Sequence, residues 1–201
     1  MRPPEILALA TQQFLKYGLR NVSMDDLCRL CGISKKTLYK HFGDKENLIR
    51  TALMGFLEEQ KKTARAAETT ASNALEAHFH MVQDISLRMR EFNTHVVYEL
   101  RKYYPALWEL VEDFHKSFVL NQIRSNLRRG MQEGLYVSDL DIDLTAAFYV
   151  ALIRGILLFD VELVRNYSFP VVYKYLIKYH LMAISTPQGK AILQTLFGQS
   201  Q

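Results

Sequence analysis

The stretch GISKKTLYKHFGDKENL, residues 32–48, gathers Lys35, Lys36, Lys40 and Lys45 with Thr37, Tyr39 and His41. Ammonium, hydroxyl and imidazole donors at this density suit a polyanion, because they can reach phosphate oxygens and the acceptor edges of guanine. A solvated amphipathic helix has the same composition, since Ile33, Leu38, Phe42 and Leu48 are apolar. The location of the charge weighs between the two. Residues 1–50 hold nine Lys and Arg against five Asp and Glu, and the remainder sixteen against sixteen, so the whole net charge of +4 sits in the N-terminal quarter. That places a polyanionic partner there, with an anionic membrane surface as the other candidate.

Other constellations offer less. Cys28-Arg-Leu-Cys31 has the spacing of a redox or metal pair, but a zinc site needs four ligands and there is no second cysteine pair. Both read as small packing residues on a helix, with a thiol-sensing regulator as the alternative. Glu112-Asp-Phe-His115 matches half of a di-iron bundle motif whose second copy is missing. His78 and His80, two apart on a helix, point to nearly opposite sides and cannot share an ion. There is no Gly-rich phosphate loop, nucleophile elbow or HExxH run. No catalytic residue, metal or cofactor is expected. Met1-Arg-Pro-Pro-Glu5 opens no secretory signal, and the longest apolar run, 146–153, stops at Arg154, too short for a bilayer. A cytoplasmic, soluble protein is expected, without membrane association.

The elements that must carry these residues read as all-α. Prolines stand only at 3, 4, 105, 170 and 187, and no alternating strand pattern persists. A helix is predicted over 4–16, closed by Gly18. Ser23 caps the next, with Asp26 three residues on and Val22 and Leu27 as its apolar staple; Cys31-Gly32 closes it. Ser34 caps a third helix, with Ile33 and Leu38 repeating the staple, and Asp44 caps a fourth. The Ala, Thr and Ser of 63–73 predict a loop, dividing a small N-terminal domain, 1–62, from a larger helical domain, 63–201. There, helices are predicted over 75–92, 94–103, 106–133, 141–166, 170–184 and 188–197.

Two short capped helices crossing at Gly32 have the geometry of a helix-turn-helix, in which the second helix enters the major groove. Leu38 and Phe42 face the core, leaving Lys35, Lys36, Thr37, Tyr39, Lys40 and His41 to point elsewhere. Lys45 follows in the first turn of the next helix, where N–H groups attract anions.

Ala10, Phe14, Gly18, Ser23 and Leu27, then Gly32-Ile-Ser-Lys-Lys-Thr-Leu-Tyr-Lys-His-Phe and Asp44-Lys-Glu-Asn-Leu, closely resemble the N-terminal domain of TetR-family transcriptional regulators. The resemblance spans roughly residues 5–55. It implies a two-domain homodimer that binds a palindromic operator in double-stranded DNA, commonly as a repressor, and releases it when a small molecule enters the C-terminal domain. By position it assigns groove contacts to Lys35, Lys36, Thr37, Tyr39 and Lys40, and phosphate contacts to Ser23, Tyr39, His41 and Lys45. Cys28 and Cys31 depart from the family's small residues, and Lys36 from a frequent glycine.

Residues 60–201 match no motif. Met81, Ile85, Met89, Tyr98, Tyr103, Trp108, Phe114 and Phe118 can line an adaptable apolar cavity or be plain core, and the resemblance favours a pocket for an apolar or amphipathic effector. The predicted helix over 144–163 is apolar nearly all round and must be covered on more than one face. Phe148, Leu152, Gly155 and Phe159, with Tyr175 and Leu181 on the following helix, resemble the family's dimer interface. Two other classes compete: a helical enzyme carrying a basic unit, and a basic adaptor for a membrane surface or protein partner.

Overall fold

The structure, a computed structural model, describes residues 2–158 and 166–198. The chain forms α1 (Pro3–Tyr17), α2 (Met24–Cys31), α3 (Lys35–Phe42), α4 (Lys45–Thr70), α5 (Ala74–Arg88), α6 (His95–Tyr103) and α7 (Pro105–Asp113). A π-helical segment (Phe114–Val119) leads into α8 (Leu120–Gln132), followed by α9 (Ile142–Leu158), α10 (Phe169–Ile184) and α11 (Pro187–Gly198). An isolated bridge between Tyr136 and Ser185 is the extended pairing among the described residues. No helix among them is long and apolar enough to cross a membrane.

Two compact units emerge. The first comprises Met1–Glu59 together with Glu91–Glu112, the second Gln60–Arg90 with Asp113–Gln201. The packing therefore does not follow a single cut at 62/63. The stripe Val96, Leu100 and Leu107 of α6 and α7 is buried among Ile6, Ala10, Phe14, Leu27, Leu38, Leu48 and Ile49 of the N-terminal helices. In the second unit α5 packs against α8, α10 and α11, and α9 against α8 and α10.

Two predicted elements come out differently. The loop predicted over 63–73 is mostly helix, since α4 runs on to Thr70. Alanine is the strongest helix former, and Ala64 and Ala67 bury their methyls, so small residues here mean close packing rather than a break. The break is confined to 71–73, where Asn73 Oδ1 caps α5 by accepting from Glu76 N at 2.9 Å. The single helix predicted over 106–133 is interrupted by the π-helical segment, which no proline or glycine announces.

The interior of the second unit is partly polar, and several of its groups pair with one another. His78 Nε2 lies 2.9 Å from the Tyr149 hydroxyl. The Tyr136 hydroxyl donates to Asn126 Oδ1 at 2.9 Å, and Asn126 Nδ2 to the Ala74 carbonyl at 2.8 Å. With its ring filling the space above Gly130, Tyr136 makes that glycine obligatory: a Cβ there would meet the ring at 2.1 Å.

Candidate nucleic-acid interface

The basic residues are positioned by two short helices whose ends are fully specified. Ser23 Oγ accepts from Asp26 N at 3.1 Å, and Ser23 N donates to Asp26 Oδ2 at 3.0 Å, so cap and third residue satisfy each other. Gly32, at φ 62° and ψ 35°, turns the chain in the left-handed region, and Ile33 N donates back to the Cys28 carbonyl at 3.1 Å. Ser34 Oγ then accepts from Thr37 N at 3.1 Å and starts α3. Leu38, wholly buried, fixes the roll of α3 about its axis.

With Leu38 inward, Lys35, Lys36, Tyr39, Lys40 and His41 are exposed on α3, and Thr37 is half-buried beside its cap. Their engagements differ. Lys35 Nζ pairs with Asp25 Oδ2 at 2.8 Å, and this hydrogen bond holds its ammonium above the usual range. Thr37 Oγ1 lies 2.9 Å from Ser34 Oγ. Ser23 Oγ also donates to Asp26 Oδ2 at 2.6 Å. At the start of α4, Asp44 Oδ1 accepts from Asn47 N at 2.8 Å, and Lys45 Nζ reaches the Arg20 carbonyl at 3.5 Å. Burial pushes the Lys45 ammonium down, with the charge of Glu99 opposing. Cys28 and Cys31 are free thiols packed in the core, and burial pushes the Cys31 thiol up, away from the reactive thiolate.

Sequence reading overlooked Glu99 and Arg20. The Glu99 carboxylate, 2% exposed, accepts from Leu19 N at 2.5 Å and Arg20 N at 3.3 Å in the turn between α1 and α2. The Arg20 guanidinium lies 4.5 Å from the Tyr103 ring centroid and donates to its hydroxyl at 3.0 Å. A signal existed: Glu99 shares a helical stripe with Val96 and Leu100, an acid on an apolar face.

In the second unit, Met81, Ile85, Met89, Phe114 and Phe118 line one cavity of about 80 Å³ with His115, Gln122, Ile123, Tyr149, Ile153, Phe169 and Tyr173. Tyr98, Tyr103 and Trp108 do not join them. They lie on α6 and α7, whose apolar stripe is claimed by the first unit; Tyr103 holds Arg20, Tyr98 stacks on His95 at 5.2 Å, and Trp108 packs on the N-terminal core. On α9 and α10, Phe148, Leu152 and Tyr175 are exposed together with Leu144, Val171 and Tyr179, and a Cβ on Gly155 would meet open space. Leu181 is a correction: only 1% exposed, it faces inward beside Ile177 and Ile184 and belongs to the core. Phe159 lies outside the described residues.

Known proteins match this architecture. Residues 6–52, from the start of the buried stripe of α1 into α4, match the family described as bacterial regulatory proteins, tetR family. The HTH-type transcriptional repressor KstR2 of Mycobacterium tuberculosis is 27% identical over 154 residues, covering 73% of this chain and 75% of that one. The HTH-type transcriptional regulator UidR of Escherichia coli K12 is 28% identical over 174 residues, 82% of this chain and 85% of its own. Among solved structures, a TetR-family regulator from Agrobacterium tumefaciens shares the fold with a TM-score of 0.74 at 18% identity, over 91% of this chain and 97% of that one. The reciprocal caps, the glycine turn and the basic α3 thus lie within the matched segment, and residues 6–52 form a helix-turn-helix domain of the tetR family of bacterial regulatory proteins.

Proposed function

We propose that this regulator acts as a homodimeric repressor in the cytoplasm, binding a palindromic operator with one α3 per half-site and leaving it when a small effector fills the cavity of the second unit. The observation that carries the reading is the pair of capped helices across Gly32, which turns Lys36, Tyr39, Lys40 and His41 outward from an α3 anchored by Leu38. Lys35, Lys36, Thr37, Tyr39 and Lys40 face the major groove, and Ser23, Tyr39, His41 and Lys45 hold phosphates. Lys35 exchanges Asp25 for DNA on binding. The repressor sense follows the KstR2 relatives, which carry that name.

Dimerisation is supported by the large apolar side chains that α9 and α10 leave exposed in the single chain, Phe148, Leu152 and Tyr175 with Leu144, Val171 and Tyr179. It sets two recognition helices about one DNA turn, roughly 34 Å, apart. The Met and aromatic lining of the cavity suits an apolar or amphipathic effector, and its walls must differ between the bound and released states, because a ligand with equal affinity for both shifts nothing.

Selection of the purified protein against random duplex DNA tests this, with the affinity of the enriched sequence followed across salt. A two-fold symmetric site with a steep salt slope is the expected result. No enrichment at low salt, with binding to anionic vesicles instead, overturns it in favour of a basic membrane adaptor.

A further inference from the structure

We propose that Glu99 is a positioning residue for DNA binding: from α6 its carboxylate fixes the turn between α1 and α2, and through that turn the phosphate-facing groups Ser23 and Lys45. The proposal rests on the DNA-binding reading above and adds to it a residue far from α3 in the chain.

A carboxylate removed from water is costly unless it is paired and hydrogen-bonded. Here the turn itself supplies the hydrogen bonds, because Leu19 N and Arg20 N converge on Oε2 at 2.5 and 3.3 Å, while His95 Nε2 on the same helix lies 3.9 Å from Oε1. Gly18, at φ +91°, brings the backbone against the acid, and a Cβ there would stand 3.0 Å from Oε2. The contact continues outward. Arg20 lays its guanidinium on Tyr103 one helical turn beyond Glu99, and its carbonyl accepts from Lys45 Nζ. Asn93 N donates to the Leu15 carbonyl at 2.8 Å, and Lys16 Nζ pairs with Glu91 Oε2 at 3.1 Å, so the residues leading into α6 hold the end of α1 as well.

Adhesion between α6 and the N-terminal helices is already supplied by Val96, Leu100 and Leu107, and an apolar residue at position 99 would serve adhesion better than a buried acid. What a carboxylate adds is direction. It addresses backbone N–H groups, so it fixes where the chain runs rather than which side chains touch. Ser23 follows Arg20 by three residues, and Lys45 is tied to the Arg20 carbonyl; displacing the turn therefore moves both phosphate contacts while leaving α3 on its own anchor, Leu38.

The full-length protein carrying Glu99→Ala or Glu99→Gln is compared with wild type on the enriched duplex, and each variant is checked by its melting curve. Glu99→Ala is expected to bind about tenfold more weakly, the effect of losing a charged hydrogen-bond partner. Its salt slope falls by about one, the value of one phosphate contact. Discrimination between the enriched duplex and its base-pair variants stays as in wild type. Glu99→Gln, which keeps one carbonyl oxygen for the turn, falls between the two. A folded Glu99→Ala with wild-type affinity and slope overturns the proposal, as does one that loses base discrimination along with affinity. If Glu99→Ala does not fold, amide exchange decides: protection of Leu19 and Arg20 in wild type that drops in Glu99→Gln supports the role, and exchange at the rate of an open turn in wild type overturns it. Wild type that selects no duplex strikes the DNA-binding reading itself, whereas wild-type binding with an indifferent Glu99→Ala strikes Glu99 alone.

Discussion

Placing a charge at Phe148 is expected to separate the proposed dimer without unfolding its halves. Phe148 is 60% exposed in the single chain, with Tyr175 at 75% and Leu144 at 55% on the same two helices. An aromatic side chain carries about 200 Å². The exposed share of Phe148 is then about 120 Å², or about 3 kcal/mol of apolar burial if a partner covers it. In a two-fold interface the residue counts once from each side, doubling this to about 6 kcal/mol. Even half of that raises the dissociation constant about a hundredfold, before the cost of desolvating the new carboxylate is added. Sedimentation of Phe148→Glu across protein concentration reads the shift directly, and operator affinity falls with it, because two half-sites are no longer gripped together. The melting curve separates this from misfolding. Phe148 contributes little to its own chain's core, so the monomer stays folded, while Leu181→Glu, at a position buried beside Ile177 and Ile184, unfolds the second unit. A Phe148→Glu protein that remains dimeric at wild-type concentrations, or that melts like Leu181→Glu, refutes the assignment of this face.

Three further outcomes follow from the interface and the core. Lys36→Ala is expected to relax preference at particular base pairs, whereas Lys45→Ala weakens every duplex alike and flattens the salt slope by about 0.9; parallel titrations on the enriched site and its variants distinguish them, and identical profiles for the two contradict the assignment. Ser34→Ala removes the cap accepted from Thr37 N, destabilising α3 by about 1 kcal/mol and lowering operator affinity about fivefold, while Ser34→Thr keeps both near wild type. Burial pushes His78 down to about 3, with nearby His180 adding to the shift, and His180 down to about 4. In the unfolded chain both titrate near about 6.5. Between these values the unfolded state binds protons that the folded state refuses, so stability rises with pH there and is lost on acidification from about 6.5 downward. By pH 5 each histidine removes about 2 kcal/mol, and thermal melts at pH 7 and pH 5 should separate accordingly, less so for His180→Gln; coincident melts would refute it.

The helix-turn-helix was legible because its determinants are local. Ser23 with Asp26, Ser34 with Thr37, and Gly32 between them each act within four residues, and the structure realises every one of these contacts. Residues decided by distant contacts were not legible. Tyr98, Tyr103 and Trp108 have the composition of a pocket wall, yet α6 and α7 are claimed by the N-terminal core, a choice made by helices far away in the chain. Leu181 and Tyr175 are equally plausible apolar residues on one helix, and only packing against α5 and α9 puts the first inside and the second out. Ala64 and Ala67 look like linker until the surface they fit is present, and Glu99, though its helical stripe marks it as inward, has no visible partner until the turn after α1 brings its backbone N–H groups.

The π-helical segment Phe114–Val119 bears on how the length of this chain can drift. A turn closed by i→i+5 bonds holds more residues than an α turn, so the run from Pro105 to Gln132 carries surplus chain that a continuous α-helix would not need. Removing one residue there would let ordinary pairing run through, with α7 and α8 each keeping their own hydrogen bonds; elsewhere in these helices a deletion would turn a buried face outward. The wall of the cavity is thus a place where an insertion or deletion can be absorbed, and where inheritance can reshape what the cavity admits without rebuilding the bundle around it.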